Sequence, residues 1–571
     1  MRFSIDRSGH VFFAILLLAA IGVPQNGGAQ ASVVRDMRGA LGALLGHPPK
    51  LLKARDGELL GLARAQSREA PWSGSYWPDI NGGIASHYRD HTVLGSQLWF
   101  VLRYGAAKIR LTRDFDAVRN GFGSFTQEEL DQRLSPSEKY DLLLGNGQFE
   151  FTRAILADIE FRAGHLKKSK MNDGTERADM EQFEGVNNNE HFLDVQSSYA
   201  RFDDDVLYRY WKRRPDSISY WFGICDGWSP ASIYLPRPVR PVTVTGRLGH
   251  RITFFPDDLK ALGSYLFART NNDHMNTMNY RFAGRPCAEW GDPVVDREGY
   301  VKDFRCNDVD AGLFHLALLN RIGLDRMGFM IDIDNNHKIN NHPVGSYELR
   351  YFNLANGREG SLEASVVPRI AVEDGFARRR HPQAVALVGV KARVTYRYYQ
   401  WTENNRDLTF DSPGLDRVRS EEYTYDLELD REGAVLGGEW GNRYDEDVEE
   451  SVLYAKQPDF LWMAAPDALP YSEQSLYTIA GKTRDSSNPR PFGNTDWSWD
   501  GRGPLPEDWL AAARADLEWS PPVVGELRKI QRRRSEVFPP EARDPLLKPA
   551  QPLSTLVYFL FDQARDPERS R

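Results

Sequence analysis

The hydrophobic period changes near residue 325, and that change restricts the fold more than any other feature. Before it, apolar residues recur at three- and four-residue spacing. After it, they alternate or cluster in short β-branched and aromatic runs. FPDDLKALGSYLFAR (Phe255 to Arg269) predicts a helix, with Pro256 and two acids in the first turn, where the helix dipole favours negative charge. DAGLFHLALLNRIG (Asp310 to Gly323) predicts another, capped by Asp310 and stopped by Gly323. Its middle is apolar all round, the mark of a buried helix. MGFMIDID, SYELRYFN, AVALVGVKARVTYRYYQW and EEYTYDLELD then read as strands. Helices followed by strands, with no alternation between them, predict an α+β fold.

Upstream, residues 32–70 read as helical, from the spacing in VVRDMRGALGALLG and LLKARDGELLGLARAQ. In LSPSEKYDLLLG, Ser135 is an N-cap, Pro136 the first helical residue and Glu138 the completion of a capping box. Between these, PWSGSYWPDINGGIASHYRD carries too much Gly and Pro for a regular element. Its Trp72, Tyr76 and Trp77 either line a groove or cap a core. Residues 165–205 are polar and read as an irregular connection, and the last hundred residues are rich in Pro and charge. The basic run RKIQRRRSE near the end reads as a solvated helix face.

The first 31 residues read as an export signal. Arg2 and Arg7 precede the apolar run Val11 to Val23, and Ala29-Gln30-Ala31 offers a small-residue cleavage site. That run is shorter than the roughly 18–20 residues that span a bilayer, and no later run approaches it. The expectation is an exported (periplasmic or extracellular) protein with no membrane span after signal cleavage. A net charge of −8 gives no electrostatic footprint for nucleic acid. At 41% hydrophobic and 27% charged residues the chain is that of a folded protein. The expected organisation is a signal at 1–31, a mainly helical region at 32–205, a core at 206–360, a β-rich part at 361–465 and a Pro/charge-rich extension at 466–571.

The three cysteines, Cys225, Cys287 and Cys306, make an odd count for an exported chain. Cys287 and Cys306 share one loop-rich stretch and are the natural pair for a disulfide, which leaves Cys225 as the single thiol. GICDGWSPASI places Cys225 at a possible helix start, with Gly223 and Gly227 permitting a tight turn. A cysteine nucleophile works as its thiolate, and a helix N-terminus or a neighbouring imidazolium lowers its pKa. Backbone N–H groups at such a turn also serve an oxyanion. His274, His315, His337 and His342 are the candidate bases. His315 sits in the apolar helix, where a satisfied core histidine is the plainer assignment, and His342 sits in the strand-like INNHPVGSYEL. Asp332, Asp334, Asn341, Asp430 and Glu439 are candidates to orient the base. DIDNN begins like a calcium loop, but His337 stands at its sixth position and Pro343 at its twelfth, which excludes an EF-hand.

Several blocks, in order, resemble the transglutaminase elicitor family, the secreted transglutaminases of oomycete cell walls and their bacterial homologues. They are PWSGSYWPDINGGIASHYRD, LSPSEKYDLLLG, GICDGWSPASI, FFPDDLKAL, the RPC to DAGLFHLALLNRIG stretch, INNHPVGSYELRYF, YDLELDREGAVLGGEW and PDFLW, covering about residues 71–462. The resemblance implies a papain/transglutaminase-like cysteine acyltransferase core. Its reaction is thioester acyl transfer from protein glutamine to lysine or another amine, or to water, which gives crosslinking or deamidation. Cys225 is then the nucleophile, His315 the base and Asp332 the orienting acid, with His342, Asp430 or Glu439 as alternatives. Calcium is the cofactor that the family admits, and protein substrates carrying glutamine and amines are the partners. The chain departs from relatives at Asp226, often histidine, and in the segment sensed by plants, where Asn340 replaces tryptophan and His342 glutamine. The competing functions are a papain-like cysteine protease or amidase, and a non-enzymatic envelope protein that keeps the scaffold.

Overall fold

Local sequence signals decide where most elements begin, and the sheet decides the rest. In the computed structural model the described residues are 36–90, 114, 126–156, 158–159, 223–269, 280–284, 309–333, 340–374, 377, 380–401, 407–441, 457–464, 469–470, 472, 474, 476, 497–517 and 550–565. The expected signal, the polar stretch at 165–205, Cys287, Cys306, His274, Asp334, His337 and the basic run lie outside them.

Two short helices, α1 (Met37–Leu45) and α2 (Ala54–Leu59), open the described chain. The helix expected to run on to residue 70 ends there. Gly61 turns at φ 71°, and Arg64–Gln66 becomes strand β1. The open edge of a longer strand explains the difference, because β1 pairs with Glu348, Tyr347 and Ser346, and pairing satisfies backbone groups on both strands. Helices α3 (Gln127–Arg133) and α4 (Pro136–Leu143) each start with a full capping box, the second made by Ser135 and Glu138 as the sequence predicts. Helix α5 is Cys225–Tyr234. A hairpin of β2 (Val242–Thr245) and β3 (Arg251–Phe254) leads into α6 (Pro256–Arg269), which begins at the predicted proline.

Strand β4 (Arg281–Gly284) precedes α7 (Ala311–Ala317), capped by Asp310 through the Leu313 N–H and continued by a wider π-helical stretch to Leu324. The strands that follow are β5 (Phe329–Asp332), β6 (Asn341–Phe352), β7 (Glu359–Gly360), β8 (Val367–Pro368), β9 (Ala386–Arg397), β10 (Val418–Leu429), β11 (Val435–Gly437) and β12 (Phe460–Met463). Helices α8 (Glu507–Asp516) and α9 (Ser554–Ala564) close the described chain.

Among the described residues, ten strands form one antiparallel sheet with the central order β11-β10-β9-β6-β5-β12-β4. The α+β expectation holds at this level. Strand side chains alternate between faces, and the two cores follow that alternation. Met330, Phe460 and Trp462 join one core, with Ile224, Trp228, Ala231 and Tyr234 of α5. Phe329, Ile331, Leu461 and Met463 join the other, with Phe314, Leu316 and Ala317 of α7. Helices α5 and α7 therefore cover opposite faces of the sheet. The segment read as a Pro/charge-rich extension supplies part of the first core, since Leu556, Val557, Phe559 and Phe561 of α9 are buried there with Trp499 and Trp509. Trp72 and Trp77 of the aromatic segment are buried in the same core, so of the two readings they cap a core.

Candidate functional site

Cys225 is the first residue of α5, after a cap at Ile224 whose side chain makes no hydrogen bond. Two close approaches set the position. The Ile224 N–H donates to the Tyr76 carbonyl at 2.7 Å, which ties the helix start to the aromatic segment. Gly227 lies against α6, where a Cβ would stand 2.0 Å from the Ser264 carbonyl oxygen. Glycine is therefore required for α5 to come that near its neighbour.

The Cys225 sulfur, half-buried, faces Asn341 at the start of β6. Asn341 Nδ2 donates to Sγ at 3.6 Å, and its Oδ1 accepts the Trp462 indole N–H at 2.7 Å. The indole is donor-only, so it fixes which end of the amide meets the sulfur. Register brings Asp332 to the same place, opposite Asn341 in the β5–β6 pair. The Asp332 side chain is fully buried, and its Oδ1 accepts the Asn340 N–H at 3.3 Å.

These neighbours keep the thiol protonated. Burial first, and then the charge of Asp226, push the Cys225 pKa up to about 12. The backbone and side-chain donors of Asn341 pull it down, and Asp332 pushes it up again. A resting thiolate was the expectation from the helix start. It is corrected first by burial and then by the carboxylates of Asp226, next in sequence, and Asp332, beside Asn341, whose charge opposes a second negative charge.

The other candidates lie elsewhere. His315 is fully buried in the core on the α7 face. Its Nδ1 is 2.9 Å from the Tyr425 hydroxyl, and burial holds its pKa down to about 3. It thus sits across the sheet from Cys225. His342 follows Asn341, but its ring stacks on Tyr398 (5.0 Å, 16°) and meets Trp228 edge-on (6.0 Å, 85°). Its Nδ1 is 3.1 Å from the Arg397 carbonyl, and burial takes its pKa to about 3. Asp430 shapes the turn after β10 by accepting the Glu432 and Ala434 N–H groups at 2.9 and 2.7 Å. The backbone of Glu439 pairs with Asp426. The structure thus brings Cys225, Asn341 and Asp332 together and leaves His315 apart from them. Trp462 closes the PDFLW block of the resemblance, but nothing in the sequence marks it as the partner of Asn341.

One group among the described residues has donors near enough to share a metal ion: His87, Asp114 and Glu138, all buried. Calcium takes six to eight oxygen ligands, and a set containing an imidazole does not fit it.

A sequence model of the family described as transglutaminase elicitor matches residues 203–476. No curated protein matches the chain. The solved structure of the GP42 transglutaminase from Phytophthora sojae is similar at 20% identity and a TM-score of 0.42, over 78% of this chain and 93% of that one. The residues that match this family model include Cys225, Asp332, Asn341 and Trp462.

Proposed function

We propose that the chain is an exported transglutaminase-like acyltransferase with Cys225 as its nucleophile, built on a papain/transglutaminase-like core. One observation carries this reading: a half-buried sulfur at a helix start, met by an amide whose orientation a buried indole fixes. With a pKa near 12 the thiol is the resting form, so its proton must move as the sulfur attacks. In the proposed sequence Cys225 Sγ bonds to the carboxamide carbon of a glutamine side chain. The thiol proton passes to the Asp332 carboxyl and from there to the departing nitrogen. The C–N bond breaks, ammonia leaves and a thioester remains. A lysine amine or water then attacks the thioester carbon, and the sulfur leaves with the proton that the attacking group gives up. The Asn341 amide stabilises negative charge on sulfur in both halves, as a charge-assisted hydrogen bond does. His315 is a packing residue in this scheme.

The substrates that fit are proteins bearing glutamine and an amine. No helix among the described residues is long and apolar enough to cross a membrane, and export rests on the sequence of residues 1–31. Incubation with a glutamine-bearing protein and a fluorescent primary amine tests the activity. Amine incorporation that disappears in Cys225→Ala supports it. Peptide-bond cleavage in place of incorporation makes the protein a protease, and activity that survives Cys225→Ala removes the nucleophile assignment.

A further inference from the structure

Away from Cys225, three side chains from distant parts of the sequence meet in the core around α4. His87 Nε2 lies 2.7 Å from Glu138 Oε2 and 3.3 Å from Asp114 Oδ2, and the three side chains are 2%, 0% and 1% exposed. Neither nitrogen of His87 makes a hydrogen bond of acceptable geometry, and Glu138 Oε1 has no hydrogen-bond partner. A buried nitrogen this near two carboxylates, yet not aligned to donate to either, has the geometry of ligands converging on a common point between them. Buried polar atoms left without hydrogen bonds call for such an explanation.

The donors indicate the ion. One imidazole nitrogen with two carboxylate oxygens suits divalent manganese, iron or zinc better than a hard, oxygen-seeking cation. Glu138 is already oriented for the task, because its Oε2 accepts the Ser135 N–H at 2.8 Å and the Ser135 hydroxyl at 2.9 Å in the capping box. Fixed outer partners of this kind are what hold a ligand in place.

We propose that His87, Asp114 and Glu138 bind one divalent transition-metal ion as a structural centre that pins the aromatic segment to α4. That segment carries the Tyr76 carbonyl, which receives the Ile224 N–H beside Cys225. It also carries Trp77, packed edge-on against Tyr88 at 5.7 Å, and Tyr88 donates to Asp258 on α6 at 3.0 Å. The metal thus stabilises the support of the Cys225 helix without touching the sulfur, and it does so whether or not Cys225 is catalytic.

The test uses the full chain, stripped with a chelator and titrated separately with Zn²⁺, Mn²⁺ and Ca²⁺, with metal content measured after desalting and the melting temperature recorded. One Zn²⁺ or Mn²⁺ per chain, with a raised melting temperature and no such effect of Ca²⁺, is the expected result. His87→Ala and Asp114→Asn should each weaken binding by more than about 100-fold, beyond what loss of an outer-sphere partner causes. Wild-type protein that takes up neither Zn²⁺ nor Mn²⁺ stoichiometrically, or a folded His87→Ala that still binds, overturns the proposal. Should the variants not fold, pulsed EPR of the Mn²⁺-loaded wild type decides: nitrogen modulation supports the site and an oxygen-only spectrum refutes it.

Discussion

The sulfur of Cys225 is pulled in two directions. Asp226 and Asp332 disfavour its ionised form and the donors of Asn341 favour it, with burial setting the balance near 12. Each unit of pKa changes the thiolate fraction about tenfold at a pH below the pKa. Asp226→Asn removes one opposing charge, so the Cys225 peptide should be alkylated by iodoacetamide roughly 3- to 10-fold faster at a mildly alkaline pH. Asn341→Ala removes the side-chain donor and should slow the same peptide by a similar factor. Peptide-resolved mass spectrometry separates Cys225 from the other two cysteines. Equal rates in wild type and both variants would mean that these neighbours do not control the sulfur. The direction of the Asp226 effect was legible in the sequence, because adjacency alone puts that carboxylate near the thiol. The fully buried Asp332 and the Asn341–Trp462 pair act only because β5, β6 and β12 align them, and no spacing along the chain records that alignment.

Helix α5 depends on its contact with α6 as much as on its own residues. It has no side-chain cap and contains Pro230, so its intrinsic stability is low and tertiary packing supplies the remainder. Gly227→Ala drives a methyl group into the Ser264 carbonyl. The expected cost is about 1–3 kcal/mol, the usual range for overpacking, read as a lower urea midpoint with an unchanged slope. An unchanged midpoint would show that α5 and α6 separate freely. Elements whose signals are local were legible before the structure. Ser135 and Glu138 cap α4, Pro256 opens α6 and Asp310 caps α7 where the sequence places them. Strand β1 was not legible, because Arg64–Gln66 continues a helical spacing and becomes a strand only by meeting the edge of β6. His87, Asp114 and Glu138 were hidden for a related reason. Their meeting depends on an irregular segment whose path no periodicity describes.

At the scale of the molecule, one sheet separates two cores, and a neutral buried histidine on each side couples them to pH. His342 contacts Trp228 of the first core, and His315 sits with Tyr425 in the second. Both have folded pKa values lowered to about 3 from 6.5 by burial. The unfolded chain therefore binds protons more readily than the folded one in this window. The stability is fully present above about pH 6.5 and is lost as pH falls toward about 3. By about pH 5 the loss is ~2 kcal/mol for each histidine. Thermal midpoints should fall steadily on acidification through that range, and His315→Phe should remove part of the slope. A flat profile would mean that the two rings are hydrated.

The central claim is that Cys225 carries the acyl group. Intact mass measurement after brief mixing with a glutamine peptide, in the absence of amine and with an acid quench, tests it most directly. The account predicts an adduct equal to the peptide less ammonia, located on Cys225, discharged by hydroxylamine and absent from Cys225→Ala. An adduct on another residue, or none while amine incorporation proceeds, would contradict it.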